Sequence, residues 1–130
     1  MNAAIEFHNS VIGEPTRHDK NVRIVFAPAY LHRSAGDAGL EPGTGWHQTA
    51  VLVIYDAEIH GTGLGDAAAL TDGTLIVGGR RSELLPIPFK TSEVIELELE
   101  FVSGQRVVVR GTGAVVELSG KARYVEPFQP

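Results

Sequence analysis

The chain reads as a single all-β domain over residues 1–130, an antiparallel β-barrel or strongly coiled β-sandwich of about eight or nine strands. Three observations predict this. Residues 93–118, EVIELELEFVSGQRVVVRGTGAVVEL, place Ile95, Leu97, Leu99 and Phe101 in strict alternation with Glu96, Glu98 and Glu100. That period of two belongs to a strand with one dry and one wet face. Fifteen glycines and seven prolines cut the chain into short apolar runs. Only residues 61–70, GTGLGDAAAL, offer a helical turn, with Asp66 as its cap.

The elements follow in order. Ile5, Phe7 and Val11 alternate with polar neighbours and predict a strand over about 4–12, ended by Gly13-Glu14-Pro15. Thr16 to Asn21 reads as a loop. Val22 to Tyr30 predicts a second strand. Pro28 donates no ladder hydrogen bond, so this strand is expected at an edge or bulged there. Residues 33–45, RSAGDAGLEPGTG, form the longest loop, with four glycines and Pro42. Trp46 to His60 predicts one long strand that a compact domain forces to bend, bulge or break. Asp72-Gly73 is a turn signal. Leu75–Val77 and Leu84–Phe89 are short strands, the second at an edge because of Pro86 and Pro88. A three-residue loop, Ser103 to Gln105, sets Phe101 opposite Val107, Leu99 opposite Val109 and Glu98 opposite Arg110. Ala122 to Glu126 predicts a last edge strand.

Sixteen acidic and 11 basic residues leave a formal charge of −5. Binding to nucleic acid or to an anionic membrane needs a basic footprint that this balance disfavours. The absence of cysteine excludes disulfides, thiolate metal sites and cysteine nucleophiles. The N-terminus lacks a basic region followed by an apolar run, so a cytoplasmic location is expected.

Several patterns invite a chemical reading. The glycine run Gly61 to Gly65 lacks the spacing of a dinucleotide fingerprint and the lysine of a phosphate loop, and a plain corner explains it. Asp56, Glu58 and His60 alternate on one face and are the candidates for a metal site; a strand end emerging into solvent is the plainer account. Glu93, Glu96, Glu98 and Glu100 form an extended row that does not converge on calcium. Arg80-Arg81 reads as a soluble hairpin tip. No serine sits in a nucleophile elbow, and no catalytic residue is assigned. The most suggestive segments are Tyr30-Leu31-His32-Arg33 and Trp46-His47-Gln48, which flank the long loop. Antiparallel neighbours joined by that loop hold their joined ends together. Tyr30, His32, Arg33, Trp46, His47 and Gln48 are therefore the candidate binding residues, in one cleft beside the loop.

The run of segments from IEFHNSVI (5–12) through YLHRSAG (30–36) and GTGW (43–46) to LLPIPF (84–89) and YVEPF (124–128) resembles a group of small uncharacterised bacterial all-β proteins. The resemblance covers most of the chain and brings no reaction or site residue with it. The expected function is a non-catalytic binding or interaction module that self-associates, as a homodimer, with a small-molecule ligand as a further partner and no cofactor. Two alternatives stay open. One is a small metal-dependent enzyme using some of His32, His47, Asp56, Glu58 and His60. The other is a barrel that carries a small apolar ligand.

Overall fold

The computed structural model describes residues 1–61 and 68–130. In chain order its strands are β1 (Asn2–Glu6), β2 (Val11–Ile12), β3 (Thr16–His18), β4 (Asn21–Ser34), β5 (Gly43–Ile54), β6 (Glu58–His60), β7 (Ala68–Val77), β8 (Arg80–Ser82), β9 (Leu84–Ile87), β10 (Lys90–Phe101) and β11 (Arg106–Phe128). Six of them close an antiparallel barrel in the order β2–β7–β10–β11–β5–β4, because β2 pairs with both β7 and β4. The far ends of β11, β5 and β4 run on past the barrel. There β1 joins β4 and β9 joins β1, giving an open wing in the order β11–β5–β4–β1–β9.

The barrel interior is filled by side chains, as in other small barrels. Phe7, Ile12, Ile24, Phe26, Leu52, Ile54, Ile95, Leu97 and Phe101 are all fully buried in one cluster. The alternation of β10 thus has the expected sense, with Ile95, Leu97 and Leu99 inside and Glu96, Glu98 and Glu100 turned out. The hairpin register differs by two residues from the expected one. Leu99 faces Val107, Leu97 faces Val109 and Glu98 faces Val108. The loop is Val102-Ser103-Gly104, closed by Phe101 N–H donating to Gln105 O at 2.9 Å. Gly104 has φ 90°. A three-residue hairpin loop needs its left-handed residue last, and that requirement sets the loop one residue earlier than expected, shifting the pairing by two. A shift of two keeps every face but changes each cross-strand partner, so Arg110 pairs with Glu96.

Eleven strands, not eight or nine, appear among the described residues: two expected strands are split and β3 and β8 are added, while the stretches expected as separate strands after Gln105, Ala122–Glu126 among them, run together as the single β11. Asn9, at φ 72°, turns the chain between β1 and β2, with Ser10 N–H donating to Phe7 O. The expected 46–60 strand breaks at Tyr55–Ala57, where Asp56 has φ 46°. Both halves still pair with β11 in one register, Ile54 to Ala114 and Ile59 to Val109. The Thr16–Asn21 loop is instead a tight hairpin between β3 and β4. Gly73 is not in a turn but in the middle of β7. The Phe7 ring lies over it, and a Cβ there would come within 2.5 Å of that ring. The expected 61–70 helical turn and its cap Asp66 fall largely outside the described residues; Ala68 to Leu70 belong to β7. Pro28 sits at a bulge, Pro86 lies in the wing's edge strand, and the expected 122–126 strand is the end of β11.

Candidate functional site

The wing owes its two faces to the Ala27-Pro28 bulge. Before it, Val22, Ile24 and Phe26 point into the barrel; after it, Ala29 and Leu31 do. One inserted residue reverses the phase of a strand. Tyr30 and His32 therefore turn away from the barrel core, onto the wing's second face. Tyr30 is paired with His47, their rings 5.9 Å apart, and its ring lies 5.1 Å from that of His32. Arg33, Trp46 and Gln48 occupy the first face. The Arg33 guanidinium sits 4.5 Å from the Trp46 ring centroid, and Tyr124 meets that ring edge-on at 5.4 Å. Trp46 Nε1 donates to Thr44 Oγ1 at 2.8 Å. The structure thus brings the six candidates to neighbouring positions on β4 and β5. It does not give them one shared cleft, since a period of two sorts them onto opposite sides of the sheet.

Tyr30 and His32 are buried, at 5% and 2% exposure. The end of β11 covers them. Tyr30 Oη donates to Glu126 Oε1 at 2.7 Å, and the Phe128 ring lies 4.4 Å from His32. His32 Nε2 is 2.8 Å from Glu6 Oε2, which ties β4 to β1. Ser10 Oγ donates to Glu6 O and accepts from Tyr30 N–H. Burial, and then the hydrogen bond to Glu126, push the Tyr30 hydroxyl above its ordinary pKa. This network fastens the strand end to the wing. The Gly43-Thr44-Gly45 sequence makes room for it: a Cβ on Gly45 would stand 2.2 Å from Tyr30 Oη.

His47 and Gln48 open instead onto a cleft of about 430 Å³, formed where two irregular strands flank β5. On one side is the Ala27-Pro28 bulge. On the other, β11 carries extra residues between Ser119 and Arg123, with Gly120 at φ 72°. Lys121 and Arg123 line this cleft. Neither has an ion-pair partner among the described residues. Gln48 Nε2 donates to Gly120 O at 2.9 Å and holds the bulge in place. The sequence reading missed Lys121 and Arg123, although their signal was present: Ser119-Gly120 interrupts an alternating run, and two cations two residues apart follow it.

The other candidates are placed as follows. Asp56 lies in the break between β5 and β6, and His60 Nε2 is 3.6 Å from Glu58 Oε2 on an exposed strand. Among the described residues no three His, Asp or Glu side chains gather as a metal site requires. Gly78 and Gly79, at φ 56° and 81°, turn β7 into β8, and Arg80 pairs with Glu93 at 3.0 Å. No described helix is long and apolar enough to cross a membrane. Comparison with protein-family models, curated proteins and solved structures finds no match to this chain.

Proposed function

We propose that the protein is a non-catalytic interaction module that self-associates through the far end of β11. One observation carries this reading. From Glu117 to Pro127 every residue except Ala122 is exposed, although the whole stretch is strand. β5 pairs with one backbone edge of it, while β10 pairs with β11 only as far as Val115. The other edge is open, and along this stretch Leu118, Tyr124 and Val125 are 37%, 54% and 38% exposed. An extended strand with a free edge and apolar side chains is a surface for another chain.

The two irregularities in this stretch, with Gly120 and Pro127, prevent a long continuous ladder with a partner strand. Side chains, with Lys121 and Arg123 at the cleft, therefore supply the contact. Size-exclusion chromatography with light scattering tests the reading. Mass is expected to rise with concentration, and a variant carrying Tyr124→Ser and Val125→Ser is expected to shift toward the monomer. A wild-type chain that stays monomeric at every concentration overturns it.

A further inference from the structure

The wing has a second edge, and its chemistry is the complement of the first. Around β9 and the 35–42 loop lie two adjoining clefts of about 360 and 370 Å³. They share Leu40, Ser82 and Leu84. Their floor is apolar, from Ala3, Ala4, Leu84 and Ile87, and Leu40 stands beside it at 65% exposure. Their charged lining is Glu6, Asp37, Asp72 and Glu83, with no lysine or arginine. Glu6 is engaged by His32, and Arg81 lines a separate small cleft on the other side of Asp72. Asp37 and Glu83 have no ion-pair partner among the described residues.

We infer that this acidic, apolar-floored groove receives the β11 edge of a second copy of the chain. The inference rests on the self-association proposed above and names its partner surface. The argument is complementarity. One edge offers Lys121 and Arg123 unpaired beside exposed Tyr124 and Val125; the other offers Asp37 and Glu83 unpaired beside exposed Leu40. Lys121 and Arg123 stand two residues apart with no ion-pair partner among the described residues, and an isologous contact through them would set these cations against themselves. The two surfaces cannot meet within one molecule. They lie on opposite edges of a five-strand wing, with strands spaced about 4.8 Å apart. Where a copy docks its edge on one neighbour and receives another in its groove, the contact is heterologous, joining copies head to tail into a ring or a filament.

Two neutral variants test this. Lys121→Ala with Arg123→Ala removes the cationic edge and leaves the groove. Asp37→Asn with Glu83→Gln removes the acidic groove and leaves the edge. All four positions are exposed, so both variants are expected to fold, which circular dichroism and a thermal melt verify. Each alone is expected to associate at least about tenfold more weakly than wild type, and wild-type association is expected to weaken with added salt. Mixed, they are expected to give a one-to-one dimer that grows no further, because one intact edge meets one intact groove and the remaining ends are dead. If the wild type associates but the groove variant does so equally well, or if the mixture forms no dimer, the head-to-tail contact is wrong while self-association stands. A monomeric wild type removes both.

Discussion

Leu99 and Glu98 stand next to each other on β10 and test how single residues hold the barrel. Leu99 is buried at 2% exposure, between Val107 and Gly73 on the flanking strands. Leu99→Ala is expected to cost about 2–5 kcal/mol in chemical denaturation. Glu98→Ala is expected to cost under about 1 kcal/mol, since its side chain faces outward opposite Val108. Equal losses would reverse the faces of the strand. Gly45 carries a sharper constraint. Its Cβ would collide with the Tyr30 ring and hydroxyl, so Gly45→Ala is expected to destabilise by about 1–3 kcal/mol. Tyr30→Leu in the same chain is expected to remove most of that added cost, and a double-mutant cycle measures the coupling. Tyr30 also sets a pH dependence. Its folded pKa is raised, so the neutral hydroxyl is the favoured form in the fold. The stability it contributes is whole below the ordinary tyrosine pKa of about 10 and is lost as pH rises above it. The melting temperature of Tyr30→Phe is expected to fall less steeply than that of wild type through this range.

Elements show what a sequence reveals and what it hides. Alternation in β10 was legible because each side chain there obeys a single rule, apolar inward and acidic outward. Pro28 announced an irregularity, but it could not show that the bulge reverses the phase of β4. Tyr30 and His32 consequently sit on the face opposite to the one that continuing the first half of the strand would give. Gly73 looked like a turn because glycine serves both turns and close packing, and only the Phe7 ring above it decides between them. The candidate binding residues were legible as neighbours and illegible as faces. Lys121 and Arg123 escaped because their importance depends on a bulge two strands away from the one the sequence marked. At this scale β11 makes its own prediction. Amides from Val108 to Arg110, and those of Ala114 and Val115, are flanked by strands on both sides and are expected to resist hydrogen exchange. Beyond Glu117, the amides that point away from β5 are expected to exchange quickly in dilute protein. They are expected to slow as the protein is concentrated, if that edge meets another copy.

Across the whole molecule, the barrel and the wing share β4, β5 and β11 but are closed by different means. The wing is tied by side chains, through Tyr30, His32, Glu6 and Glu126. The barrel is closed by β2, which is two residues long and pairs with β4 at Ile12 and Phe26, with Gly13 N–H donating to Val25 O beside them. A hoop of six staves parts first at its narrowest one. Few ladder hydrogen bonds hold this seam, and the chain entering it turns at Asn9, so the ring can gape there while its long staves remain in register. The fully buried Ile12 is the stopper of that gap. Shortening it would give small apolar molecules or solvent a way into the interior that leaves both edges of the wing in place.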